Sequence, residues 1–320
     1  MKLRHVMDED RAALCALWNR AAPLQGYAAL TEQEMDSLIL RNKYFDPAAS
    51  FVLEDGALHG FGSAASAEDL PGGAKRGYLC FAVTDRQAGE AGHRLLMDAL
   101  EQALRARGCE CADVLFFNPI RLPWVIPGTP GHRHNNVPGL WVECEAYGWM
   151  LARGYAERTR ECAMYLPLGG FSLPKRLLAR QQALEREGLR VAPYDGRVHK
   201  GLEEMLQTLG NAEWQAEITG CARTGTLFLV ALCGAQTVGF AGPVYPQPDG
   251  RGYFTGIGVI PAYEGRGLGT LLFNRMCLAQ QEAGAKYLSL FTGEKNPARH
   301  IYEQTGFKAV RSFGILRKAL

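Results

Sequence analysis

Val83, Leu95-Leu96 and Gly108 recur 176 residues later as Val259, Leu271-Leu272 and Gly284, and Gly60-Phe61 recurs 179 residues later as Gly239-Phe240. A chain that repeats itself at this scale folds one unit twice, which constrains its architecture more than any local propensity. Beyond Gly108 the spacing shortens: Gly154-Tyr155 returns as Gly306-Phe307, 152 residues on. The first half therefore carries an insertion of about two dozen residues. The segment 118–140 is its natural seat, because its five prolines and three glycines suit neither a helix nor a central strand. Pro167, Gly169 and Gly170 break the chain between the halves, giving expected domains at 1–168 and 171–320.

Each half reads β, α, α, β, β, β, α, β, α, β. In the first half, strands are expected at 2–6, 77–84 and 111–117, and a hairpin at Asp55-Gly56. Helices are expected at 8–19, after a Thr31/Glu34 capping box, and from 90 to 107 up to Gly108. A charged helix over 174–187 leads into the second half. This order predicts an α+β (mixed α/β) class, with a twisted mixed sheet flanked by helices in each domain.

Composition narrows the function. With 47% hydrophobic and 21% charged residues and a net charge of +2, the chain reads as a globular protein without a charge-built nucleic-acid face. Charges interrupt the N-terminal apolar residues, and no run approaches the ~20 residues that span a bilayer. The nine cysteines include no CxxC pair, so reduced thiols and a cytoplasmic location are expected. His132 and His134 alternate across Arg133 without a Cys, Asp or Glu at ligand spacing, which predicts solvated loop histidines and no metal.

The chemistry-bearing stretch is 253–283. An apolar run from Tyr253 to Ile260 turns at Pro261 and passes through Glu264-Gly265-Arg266-Gly267-Leu268-Gly269. Helical apolar spacing then starts at Thr270. The first N–H groups of a helix lack intrahelical partners and carry partial positive charge, and glycines let backbone approach a ligand closely. A strand, a Gly-rich turn and a helix thus suit a phosphate or pyrophosphate. Glycine spacing here is neither the dinucleotide fingerprint nor a phosphate loop ending in Gly-Lys-Ser/Thr.

The turn resembles the acetyl-CoA loop of the GNAT acetyltransferases, Gln/Arg-x-x-Gly-x-Gly/Ala. Gly267 and Gly269 fill the small positions, while Glu264 departs from Gln/Arg. Downstream, Asn296 to Phe307 is similar to the family's Asn-x-x-Ala-x-x-x-Tyr-x-x-x-Gly-Phe segment, with one residue of slack. The resemblance implies a tandem GNAT-like protein of the mycothiol-synthase layout. It implies acetyl-CoA held by Ile257, Gly258, Val259, Glu264 to Thr270 and Asn296, and Tyr302 as general acid for the departing thiolate. Arg266, Lys295 and Arg299 could meet CoA phosphates. The acceptor implied is a primary amine of a small molecule or a protein, with Glu217 and Glu294 as rival bases. The same residues also fit acetylation of an amino-sugar thiol precursor, or a non-catalytic acyl-CoA-binding module.

In the first half, Arg86 to Ala91 satisfies the loop pattern literally, but the 176-residue register sets Ala91, not Gly89, opposite Gly267. Met150 stands where Tyr302 would, with Tyr147 turned away on its helix. The first half is thus expected to be degenerate, and the insertion to line an acceptor pocket.

Overall fold

The computed structural model describes residues 1–320. It separates into two compact units: residues 1–163 with 291–296 and 309–320, and residues 164–290 with 297–308.

Unit 1 opens with β1 (Lys2–His5), α1 (Arg11–Ala21) and α2 (Glu32–Met35). The Thr31/Glu34 box starts α2 as expected: Glu34 N donates to Thr31 Oγ1 at 3.1 Å, and Thr31 N donates back to the Glu34 carboxylate at 2.8 Å. β2 (Ser50–Asp55) and β3 (Ala57–Ala65) form the hairpin at Gly56, whose φ of 71° is the left-handed conformation such a turn needs. β4 (Arg76–Thr84), α3 (Gly89–Ala106) and β5 (Cys111–Val114) follow. β5 stops three residues short of the expected end, and Phe116 and Phe117 pack edge to face instead.

The insertion folds as a small hairpin of β6 (Trp124–Val125) and β7 (Arg133–His134), followed by β8 (Leu140–Trp141), α4 (Glu145–Ala152) and β9 (Ala156–Pro167). The strands β1 to β4 are antiparallel neighbours, and β5 joins β4 in parallel at Arg76 to Tyr78. α3 lays Leu96, Met97, Leu100 and Leu104 on one sheet face, against Leu53, Ala64, Leu79 and Ala112. Leu96, Leu100 and Leu104 recur at i, i+4, the spacing of a single buried helical stripe.

Unit 2 contains α5 (Lys175–Arg186), β10 (Leu189–Pro193), α6 (Leu202–Leu209), α7 (Ala212–Thr224), β11 (Leu229–Cys233), β12 (Gln236–Gly242), β13 (Tyr245–Pro246), β14 (Gly252–Tyr253), β15 (Gly256–Val259) and α8 (Leu268–Glu282). β16 (Tyr287–Gly293) and α9 (Arg299–Thr305) follow, before β17 (Lys308–Ala319). β10, β11, β12 and β15 make an antiparallel sheet in that order. The α6–α7 pair covers one face through Met205, Leu206 and Ile218, which meet Phe228, Val230 and Phe240.

The units divide the chain differently from the sequence halves. Residues 309–320 belong to unit 1, where β17 pairs antiparallel with β5 from Leu316↔Val114 to Ala319↔Cys111. The buried Asp113 fixes this pairing by taking Arg317 Nε at 2.6 Å. A strand pairing across two hundred residues leaves no local pattern, so the sequence places residues 171–320 in one domain.

Candidate functional site

The Gly-rich turn of unit 2 lies exposed ahead of α8. Gly267 is the N-cap at φ 72°, and Gly265 is also left-handed at φ 71°. No backbone N–H from Gly265 to Thr270 donates within the chain, and no side chain caps the helix. The row of donors faces outward, and the macrodipole adds partial positive charge at the same place. The turn leaves Glu264 exposed and sets the Arg266 guanidinium 5.6 Å from the Tyr263 ring.

Beside the turn, β15 ends its sheet, so its far edge pairs with no strand of that sheet. Ile260 N donates to Val238 O at 3.0 Å, which sets the bonded register with β12. In an antiparallel pair alternate residues turn both backbone groups to the partner. Gly258 therefore bonds inward, while Ile257 and Val259 present N–H and C=O to the open edge. Glycine is required on the covered face: a Cβ at Gly256 would sit 2.6 Å from the Trp214 indole, and one at Gly258 would sit 2.7 Å from Leu209.

Tyr302, on α9, packs its ring 5.0 Å from Phe273 of α8, and its hydroxyl has no hydrogen-bond partner in the chain. Burial raises its pKa, which keeps the phenol protonated. Asn296 precedes α9 but falls in the segment counted with unit 1, and so does Glu294, whose carboxylate accepts from Ser312 Oγ at 3.3 Å. Arg299 is tied to Glu303 at 2.8 Å. Glu217 lies on α7, within unit 2.

Sequence reasoning missed Arg180. This α5 side chain donates Nε to Arg266 O at 2.8 Å and lies 3.4 Å from where a Gly267 Cβ would be. It buttresses the turn and adds a cation to it. Its only signal was the charged face of the 174–187 helix, which does not say what that face meets.

The matching place in unit 1 is treated in the opposite way. Gly89, at φ 54°, is the left-handed glycine opening α3, so the literal match at Arg86 to Ala91 is the structural one and the 176-residue register does not hold there. Asp85 fills the helix start: its Oδ1 accepts from Gln87 N and Ala88 N, each at 3.0 Å. Its Oδ2 takes His59 Nδ1 at 2.9 Å and Arg20 Nη2 at 3.0 Å. Burial works to raise the Asp85 pKa, but His59, the Ala88 amide and Arg20 outweigh it and hold the carboxyl below its ordinary range.

The edge of β4 is filled as well. Asn118 Nδ2 donates to Leu79 O and Cys80 O, both at 3.1 Å, and Gln25 Nε2 donates to Ala82 O at 2.8 Å. A small pocket of about 30 Å³ lies here, lined by Tyr27, Phe81, His93, Met97, Val114 and Met150 among others. Burial lowers the His93 pKa to about 4, so its ring is neutral.

His134 is a correction. It is not a solvated loop histidine: it is buried, with its ring 4.4 Å from Phe291 and Asn136 N donating to its Nδ1 at 3.2 Å. The β6–β7 register turns it inward. No three His, Cys, Asp or Glu side chains converge as a metal site. No helix is long and apolar enough to cross a membrane.

Residues 224–309, which contain the open turn, match the Acetyltransferase (GNAT) domain model. This part of the chain resembles a GNAT acetyltransferase domain. It accounts for the strand, turn and helix at 256–282 and for the α9 segment with Tyr302. A curated relative, the [ribosomal protein bS18]-alanine N-acetyltransferase of Haemophilus influenzae, is 39% identical over 54 residues, covering 17% of this chain and 37% of that protein.

Solved structures extend the likeness in fold to nearly the whole chain. A GCN5-related glucosamine N-acetyltransferase region of a fungal GH3 β-N-acetylglucosaminidase aligns at TM-score 0.69 and 15% identity, over 99% of this chain and 38% of that one. The GCN5-related N-acetyltransferase of Sphaerobacter thermophilus aligns at TM-score 0.62 and 14% identity, covering 99% and 95%. A tandem GNAT protein from the clavulanic acid biosynthesis pathway aligns at 0.58 and 16%, covering 99% and 98%. At these identities the likeness is one of fold.

Proposed function

We propose that this protein is an acetyl-CoA-dependent N-acetyltransferase with one acyl-CoA site per chain, in the GNAT domain of unit 2. The observation that carries this reading is the row of unmet backbone donors from Gly265 to Thr270 beside the open edge of β15. Acetyl-CoA would supply an activated acetyl thioester. The amides of the turn bind its pyrophosphate, with Arg180 and Arg266 adding positive charge. Ile257 and Val259 offer N–H and C=O groups to the amide-bearing pantetheine, which positions the reactants. Asn296 is assigned a cofactor contact from the family pattern.

Tyr302 is the acid. Its hydroxyl, on a half-buried side chain and without a hydrogen-bond partner in the chain, holds a proton for a thiolate of similar basicity. The acceptor is a primary amine, on a small molecule or a protein. The Haemophilus influenzae relative, named for acetylating an alanine of a ribosomal protein, supports amine chemistry without naming this chain's acceptor. The internal plugs of unit 1 support a degenerate first half.

Calorimetric titration of the full chain with acetyl-CoA tests this reading. One site per chain is expected. Two sites would mean that the Asp85 turn yields to a ligand, and no binding would defeat the transferase reading.

A further inference from the structure

The β13–β14 hairpin of unit 2 carries a feature that binding of acetyl-CoA does not use. Tyr245 and Tyr253 face each other across the hairpin, and their rings stack at 5.1 Å and 28°. Tyr245 is 39% exposed, so this aromatic surface is presented to solvent.

The hairpin beneath is fixed by buried polar groups. Arg251 is buried and donates Nε to Ser289 Oγ at 2.9 Å and Nη1 to Gln247 Oε1 at 2.8 Å. Tyr287 donates its hydroxyl to Asp249 Oδ2 at 3.1 Å, and Gln280 Nε2 donates to the carbonyls of Pro243 and Tyr253. Asp249 balances the charge of Arg251. Glu217 is the unmatched charge of this region, since no cation pairs with it. It stands one turn beyond Trp214 on α7, the residue packed against Gly256, and so on the helix face turned to this sheet. Its carboxylate lies beside both phenols. Together burial and this neighbour push the Tyr253 phenol up to about 12, so both rings stay neutral and electron-rich.

We propose that Tyr245, Tyr253 and Glu217 hold the acceptor by a positively charged nitrogen. Ring faces and a carboxylate with no cation on it favour an organic ammonium ion and disfavour carboxylates and phosphates. The nitrogen that attacks a thioester must be neutral, whereas a nitrogen in this cage is stabilised as its ammonium ion. A nitrogen held as its ammonium ion is a poor nucleophile, so the acceptor that suits this site carries a second one: a diamine, or an amine with a second cationic group at a distance. This inference rests on the transferase reading for what happens to the second nitrogen, but the cage itself is tested by binding alone.

The test is calorimetric binding of 1,5-diaminopentane to the full chain, with and without saturating CoA, beside 6-aminohexanoate, which replaces one ammonium by a carboxylate. The diamine is expected to bind at least about tenfold tighter than the amino acid. Glu217→Gln and Tyr245→Ala should each weaken diamine binding about fivefold or more, with acetyl-CoA affinity unchanged. Both substitutions are at solvent-accessible positions outside the core. Equal binding of the two compounds, or a Glu217→Gln protein that keeps the preference, would overturn the inference. Diamine binding in a protein that ignores acetyl-CoA would leave the cage standing and defeat the transferase reading. Failure of both ligands would defeat both.

Discussion

The turn after β4 and the turn after β15 each set a left-handed glycine ahead of a long helix, Gly89 at φ 54° and Gly267 at φ 72°. What separates them is where the backbone groups go. In unit 2 the N–H groups from Gly265 to Thr270 and one edge of β15 stay unmet by the chain. In unit 1 Asp85 takes the Gln87 and Ala88 amides of the turn just ahead of the helix, while Asn118 and Gln25 occupy carbonyls along β4. The cofactor slot proposed for unit 2 would be a set of unsatisfied backbone hydrogen bonds. A few side chains can close it by supplying the partners, with no change of fold.

The strongest way to break this contrast is at Tyr302. Tyr302→Phe should lower kcat by about a hundredfold or more while acetyl-CoA affinity stays within about twofold. Steady-state kinetics beside calorimetry reads both, and unchanged turnover would remove Tyr302 as the acid.

A paired test comes from the glycines. Gly267→Ala and Gly89→Ala each force an L-residue into left-handed backbone, at a cost of about 1–2 kcal/mol. Thermal melts should fall in both variants. Acetyl-CoA affinity should fall about tenfold in Gly267→Ala alone; a matching loss in Gly89→Ala would mean that unit 1 also binds.

Asp85→Ala leaves the Gln87 and Ala88 amides without their acceptor and strands His59 and Arg20. It should cost about 2 kcal/mol in denaturant unfolding at pH 7, less than a fully buried pair because Arg20 is half exposed. The folded pKa of Asp85 is depressed, so its stabilisation is present above the unfolded value near 4 and is lost as pH falls through the lower folded value. The gap between wild type and variant should therefore shrink below about pH 4. Stoichiometry with acetyl-CoA should remain one, since Asn118 and Gln25 still fill the β4 edge.

The smallest effect is expected at Arg180. Arg180→Ala should weaken acetyl-CoA about threefold at low ionic strength, fading in high salt, because an exposed cation is screened.

Much of this was legible in the residues. Gly108 and Gly284 both end a helix in left-handed geometry, at φ 76° and 93°, and Gly154 and Gly306 do so at 93° and 106°. Only glycine takes that conformation cheaply, so the repeat was written in a residue type with a fixed backbone meaning. The Gly-rich turn was legible for the same reason. Asp85 was not, because an aspartate before a helix looks the same whether it caps the helix in a closed site or stands beside an open one. His134 was misread because loop composition does not show which way a two-residue strand turns its side chains.

Local sequence was enough to read a mixed α/β chain with an internal repeat, the ends of its helices, and a turn with glycines enough to approach a phosphate. Those features follow from local backbone preference and periodic burial, which act within a few residues. Long-range folding was needed to show that residues 309–320 complete unit 1, that Arg180 supports the open turn, and that Asp85, Asn118 and Gln25 close the other. Each of these depends on hydrogen bonds between residues far apart in the chain, and whether a donor finds its acceptor is settled only when the sheet has brought them together.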